Sequence, residues 1–280
     1  MRKKIIFLLI FVFAISNLQG GFFGFRPKKE ITWQKDKSVM VYISEGEFLM
    51  GSPEGVGSAW EHPVHKVYLD GYYIDKFEVT NAQYAKFLNE YGKDTDEQGN
   101  KMIFEHEWGV RKVKGKWEPH SGYEDHPVIM VTWYGAAQYA KWAGKRLPTE
   151  AEWEKACRAG STARFCFGDS ESLLEEYAWY YNNANKKTHP VGAKKPNAYG
   201  IYDIHGNVWE WVSDWFSKDY HYKSPYENPQ GPDTGTDKMF CGGSWMYIAT
   251  HCRCSSREWF PAWAHFHNTG FRCALSKPKK

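Results

Sequence analysis

Several features are missing from this 280-residue chain, and each absence narrows its reading. No paired C-x-x-C arrangement occurs, and Cys252-Arg253-Cys254 is too tight for a standard zinc knuckle. There is no low-complexity tract, so the composition is that of a globular protein. No internal repeat and no clear domain boundary interrupt it, which leaves one domain in place of a repeat array. Charge of one sign is nearly absent. The formal net charge is +3, and removal of Arg2, Lys3 and Lys4 takes it to zero, which argues against a nucleic-acid partner. The N-terminal apolar run, Ile5 to Ile15, has eleven residues, too few to span a bilayer comfortably.

That run follows the basic Arg2-Lys3-Lys4 and precedes small residues at Ala14-Ile15-Ser16 and Gly20, the layout of an export signal. No cysteine stands near it to take a lipid. Residues 1–20 therefore read as a signal peptide, 21–38 as a linker and 39–276 as the domain. The expected location is periplasmic or secreted, with no membrane span after signal removal. All six cysteines, at 157, 166, 241, 252, 254 and 273, lie beyond the signal. In an exported protein an even count suggests disulfides, and six cysteines allow 15 pairings.

Aromatic residues are abundant, at 18% of the chain with 14 tryptophans, enough ring area to fill a core without long helices. Val39 to Met50 and Lys66 to Ile74 read as strands. Thr80 and Gln83 have capping-box spacing and open a helix whose Tyr84, Phe87, Leu88 and Tyr91 share one face. A second helix spans about Trp133 to Ala143, with Trp133, Ala136, Ala137 and Ala140 on its buried side and Gly144 at its end. Thr149 and Glu152 open a third, closed by Gly160. Lys114-Gly115-Lys116 reads as a hairpin tip. Asp94, Asp96, Gln98, Gly99 and Glu105 fall at EF-hand spacing, but Lys101 stands where such a loop wants an apolar residue, so a solvated insertion is the better reading. Beyond Ser161 come short strands and long loops. Helices early and strands late predict an α+β fold.

The run Gly206-Asn207-Val208-Trp209-Glu210-Trp211-Val212-Ser213-Asp214-Trp215 sets three indoles close together, with Glu210 between two of them. A carboxylate in such company needs a cation, an arginine or several donors. Further on stand Gly242-Gly243-Ser244-Trp245 and Gly270-Phe271-Arg272-Cys273. With Gly46-Glu47-Phe48-Leu49-Met50-Gly51, Gly144-Lys145-Arg146-Leu147-Pro148-Thr149-Glu150 and Asn197-Ala198-Tyr199-Gly200 in the same order, the chain resembles the formylglycine-generating enzyme, or sulfatase-modifying-factor, family.

The resemblance implies a C-type-lectin-like fold, poor in regular secondary structure. Active members oxidise a substrate cysteine to formylglycine with O₂ and copper(I), held by two thiolates three and eight residues past the Gly-Gly-Ser serine. Here these positions are Tyr247 and Cys252. Ser244 and Cys252 are thus the catalytic candidates, with Cys252 as the one copper ligand. Copper(I) prefers sulfur, and a phenol is a poor substitute for a thiolate. Trp211, Ser244 and Asn268 match residues of the family's substrate groove, and Tyr247 and Arg257 join them as candidate ligand contacts. For Trp211 the alternative is core packing, and for Asn268 a turn before Gly270. Glu210, Asn207 and the backbone carbonyls of His205 and Val208 match a structural calcium site, against a Glu210 ion pair with Arg272 or Arg146. The ring of His205 reads as that of a loop histidine. The resemblance also implies a Cys157–Cys254 disulfide and leaves Cys273 unmated, since its family partner falls on Ala140.

With half of the copper site missing, the expected function is a peptide- or protein-binding domain, or a glycan-binding one. Its recognition residues would come from the aromatic stretch between Trp245 and Gly270, including Tyr247, Ile248, Trp259, Phe260, Trp263 and Phe266. The alternatives are an active oxidase with an altered copper site and an accessory factor in an exported biosynthetic pathway.

Overall fold

The computed structural model describes residues 27–276, and the expected signal peptide lies outside them. Along the chain, β1 (Glu30–Thr32), β2 (Val39–Ile43), β3 (Gly46–Met50), β4 (His65–Leu69) and β5 (Tyr72–Asp75) precede α1 (Asn81–Tyr91). The hairpin of β6 (Val110–Val113) and β7 (Lys116–Pro119) leads to α2 (Trp133–Trp142) and α3 (Glu150–Arg158). A long stretch poor in regular structure then reaches β8 (Trp209–Trp215), β9 (Asp237–Cys241), β10 (Arg257–Pro261), β11 (Thr269–Gly270) and β12 (Ala274–Ser276).

The three longer helices are all capped, two of them where the sequence places a capping box. Thr80 and Gln83 exchange side-chain and backbone bonds at the start of α1, as Thr149 and Glu152 do at α3. Thr132 accepts from the Gly135 amide at the start of α2. Gly92, at φ 86°, ends α1 in the left-handed region, and Ala159, at φ 47°, does so for α3 one residue ahead of Gly160. On α2 the buried positions are Gly135, Ala136, Tyr139 and Ala140, so Trp133 and Ala137 sit at the edge of that face. Both expected long strands are broken in two. Ser44 and Glu45 separate β2 from β3, and Asp70 and Gly71 separate β4 from β5, because each half pairs in a different sheet.

One antiparallel sheet runs β1-β2-β5-β12 and joins the two ends of the domain. The other runs β10-β9-β8-β11, with β11 parallel to β8. The domain begins earlier than expected. Residues of the supposed linker form β1, and Asp36 is buried in an ion pair with Lys145. The EF-hand-like spacing belongs to a turn in which Asp94 pairs with Lys101 and Asp96 caps Gln98 and Asn100. No helix of the described residues is long and apolar enough to cross a membrane.

Strand β8 is covered on both sides, and its two-residue period sorts its side chains. Trp209 and Trp211 enter the cluster of Tyr84, Phe87, Tyr139 and Phe271 between α1 and α2. Val212 faces the other cluster, built around Trp153 of α3. Glu210 shares that side, where it accepts from Trp153 Nε1 at 2.8 Å.

Candidate functional site

Three loops converge at the end of β8: residues 205–208, Gly242 to Cys254, and Asn268 before β11. Gly243 permits the approach. Its φ is 74°, and a Cβ there would lie 2.7 Å from Cys252 Sγ and from His251 O. Ser244 is fully buried, its Oγ accepting from Asn268 Nδ2 at 3.1 Å. Asn268 is also buried and gives its carbonyl to the Trp209 amide, so it serves as the turn before β11 as well as a partner of Ser244.

Cys252 follows a 3₁₀ turn over Ala249–His251. Its thiol packs with Phe165, Leu174, Ala178, Tyr180 and Ala249, and burial pushes its pKa up to about 12. Tyr247 is half-buried, edge-on to Trp209 at 5.4 Å and to His251 at 4.9 Å. Burial raises its phenol as well. These donors do not suit copper(I): one is a thiol held protonated by its surroundings, the other a protonated phenol.

Two residues expected to meet a ligand lie inside the domain. Trp211 is completely buried and donates Nε1–H to Val131 O at 3.1 Å, so core packing is its role. Arg257 is buried beside Glu150 at 2.7 Å and touches His221. The Arg257 guanidinium and His221 hold the Glu150 carboxyl down to about 2, against the burial that would raise it. The sequence hid this because Glu150 and His221 are remote from Arg257 along the chain.

Glu210 has the arginine partner that its position demands. Arg272 Nε and Nη2 each reach one of its oxygens at 2.7 Å, and Trp153 supplies a third donor. Asn207 donates to Glu78 Oε2 at 2.7 Å and accepts from the His189 amide. The Val208 amide bonds Glu78 Oε1 at 3.1 Å. As arranged, the Glu210 carboxylate and the Asn207 amide are spent on the protein, and this donor set fits the ion pair better than calcium. Sequence reasoning missed Glu78 and Asp203, buried acids in the same cluster. Burial raises both, Asp203 to about 6, and one Asp203 oxygen has no partner. The signal for Glu78 was an acid between Phe77 and Val79. His205 sits in a turn, as the sequence predicts, but it is buried. Its ring is buried between Cys252 O at 2.8 Å and the Cys166 amide at 3.2 Å, and burial lowers its pKa to about 4.

Several of the side chains that remain accessible are apolar. Met246, Ile248 and Trp263 are exposed, Trp263 by 66%. Tyr181, exposed by 62%, joins them through its amide bond to Tyr247 O at 3.0 Å. Ring contacts link Tyr247 through Trp209 and Phe240 to the half-exposed Phe260 and on to Phe266. Beside this stretch lies a cavity of about 420 Å³, lined in part by Thr250, His251, Arg253 and Glu258. All six cysteines are free thiols.

The profile of the sulfatase-modifying factor enzyme 1-like domain matches residues 27–277. The formylglycine-generating enzyme of Streptomyces coelicolor is 35% identical, over 84% of this chain and 88% of its own. The serine/threonine-protein kinase pkn1 of Chlamydia caviae is 39% identical over 88% of this chain, but the chain spans only 39% of that longer protein. Among solved structures, Treponema denticola variable protein 1 superposes with a TM-score of 0.72 at 26% identity, over 89% of this chain and 99% of its own.

Proposed function

The chain belongs to the sulfatase-modifying factor enzyme 1-like family, and within it we propose a binding domain in place of an oxidase. The carrying observation is the side chain three residues past Ser244. It is a phenol packed on Trp209 and His251, and the thiol at Cys252 is buried and held protonated. Without a second thiolate, copper(I) has half of the grip that the oxidation needs.

The ligand in this reading is an extended peptide or protein segment laid over Tyr181, Met246, Ile248 and Trp263. Rigid aromatic and aliphatic anchors on irregular loops suit such recognition. The cavity beside Thr250 and His251 offers polar groups at its edge. A glycan stacked on Trp263 is the other ligand class compatible with the same rings. Export to the periplasm or beyond is part of the proposal, since the surface would then meet ligands outside the cytoplasm. The reading does not call on calcium, since Arg272 already meets the charge of Glu210.

The test sets chemistry against binding. Purified protein supplied with copper(I) and a Cys-x-Pro-x-Arg peptide should yield no aldehyde, and a peptide array should give hits that Trp263→Ala abolishes. Aldehyde formation that Cys252→Ser removes would restore the oxidase. Silence on peptide and glycan arrays alike would remove the binding reading.

A further inference from the structure

The cavity of about 420 Å³ beside the 3₁₀ turn is held by a closed ion pair and lined by one charge that nothing answers. One wall is the segment leading to Glu61. Gly57 there has φ 75°, and a Cβ on it would lie 2.1 Å from Glu61 Oε2 and 2.7 Å from Arg253 Nη1, so the backbone lies directly against that pair. A second wall is the 3₁₀ turn itself, whose Thr250 carbonyl accepts from Arg253 Nε at 2.7 Å. Strand β10 supplies Glu258.

The charges of the lining can be followed one by one. Arg253 Nη1 and Nη2 reach the two Glu61 oxygens at 2.6 and 2.9 Å, so these groups answer each other. Arg164, the other arginine of the lining, turns to Asp169 and Glu171 at 3.8 and 3.5 Å. Burial, helped by Arg253, lowers His251, so its ring is largely neutral at pH 7. Glu258 is different. Among the described residues no hydrogen bond or ion pair reaches its carboxyl, and burial, then the charge of Glu61, raises its pKa. A carboxylate kept in a cleft against its own electrostatics, with no partner, has the environment of a binding group.

Its place ties it to the aromatic face. Glu258 and Phe260 are two residues apart on β10 and so share one side of the strand. Phe260 is half-exposed and stacks on Phe240 at 5.9 Å, and Glu258 is close enough to Tyr247 to help raise its phenol. We propose, resting on the reading that this face binds a peptide, that the cavity takes a lysine or arginine side chain of that peptide, its cation on Glu258 and its neighbours on Tyr247 and Phe260. Such a side chain offers an apolar stem to the rings and a charged tip to the carboxylate. An acidic side chain would meet Glu258 as a like charge, and an apolar one would bury a carboxylate without a partner. The Glu61–Arg253 pair is already closed and competes for neither.

The test titrates the full chain with Nα-acetyl-lysine methylamide, its arginine counterpart and, as the control of charge, the glutamate one. The amide resonances of Thr250 and His251 are followed. The two cations should give saturable shifts that high salt weakens, and the glutamate compound none. Glu258→Gln should weaken both cations by about fivefold, and Glu258→Lys should abolish their binding. On a peptide array the wild-type hits should carry lysine or arginine at one position, and Glu258→Lys should move the preference to aspartate or glutamate. Hits without that preference would overturn the cavity's specificity and leave the binding face standing. A silent array would remove the binding face, while the single-residue probes still decide the cavity. No saturable shift from either cation, or equal affinity in Glu258→Gln, overturns the assignment.

Discussion

Among the described residues, Arg272 is the guanidinium bonded to Glu210, in a cluster that also buries Glu78 and Asp203. Its charge meets Glu210 directly, while burial, helped by the neighbouring acids, raises the other two carboxyls, Asp203 to about 6. Removing the cation and removing an acid should therefore differ. Arg272→Met strands a buried carboxylate and should cost about 3–5 kcal/mol. Glu78→Gln keeps an acceptor for only one of its two donors, Asn207 or Val208, but leaves no charge stranded, so it should cost less. Urea unfolding of both variants at pH 7 checks the order, and equal losses would mean that Arg272 is not the charge that matters. Asp214 makes a second case at this scale. Burial raises its folded pKa to about 7, against 3.8 for the free side chain. The folded state thus binds a proton that the unfolded state has released. Stability from this group is complete below pH 4 and is lost as pH climbs to 7. His126, depressed to about 4 by burial, works in the opposite sense and loses stability as pH falls from 6.5. Asp214→Asn keeps the acceptor for the Glu150 amide without ionising. Its stability relative to wild type should rise between pH 4 and 7 and then level off. A difference flat in pH would mean that Asp214 does not titrate there.

At the scale of elements, α3 is a helix with all nine residues buried. Its charged side chains are accommodated by named partners. Glu154 pairs with Arg158, Lys155 donates to the carbonyls of Ser44 and Gly46, and Arg158 reaches Gly51 O. A cap at its start matters because the first amides have no water to turn to. Thr149→Ala should cost about 1–2 kcal/mol, read as a fall in Tm with unchanged far-UV dichroism. Thr149→Ser should recover most of it. This helix also marks what was legible in the sequence. The caps of α1 and α3 were readable because they depend on residues three apart. The hairpin tip and the α+β class followed from equally local signals. The burial of Lys155 was not legible, since its carbonyl partners stand more than 100 positions away, and Arg158, besides Glu154 one turn back, is held by the equally remote Gly51. Arg257 and Trp211 failed as surface residues for the same reason. A side chain three residues from a motif can face either way, and only the pairing of β8 with β9 and β11 decides. The choice of Arg272 over Arg146 for Glu210 was left open, and Arg146 is bound to Glu152 instead.

On the scale of the whole molecule, the chain divides its aromatic residues between two tasks. The buried rings, such as Trp153, Trp209 and Trp211, do the work that long helices do in other folds. Of the exposed ones, Phe260 and Trp263 lie between Ser244 and Gly270 and Tyr181 is bonded to that stretch through Tyr247, while Tyr222 and Tyr226 stand elsewhere, and all add little to stability. This division can be tested without knowing the ligand in advance. Trp211→Ala deletes a fully buried indole together with its bond to Val131 and should cost about 3–5 kcal/mol. Trp263→Ala and Ile248→Ala remove side chains that stand in solvent, so each should stay within about 0.5 kcal/mol of the wild type. On a peptide array the order should reverse. The two surface variants should lose the hits that the wild type gives, while any folded fraction of Trp211→Ala should keep them. If Trp263→Ala lowered the Tm as far as Trp211→Ala, its ring would belong to the core after all. The surface would then lose its main anchor and binding there its physical basis.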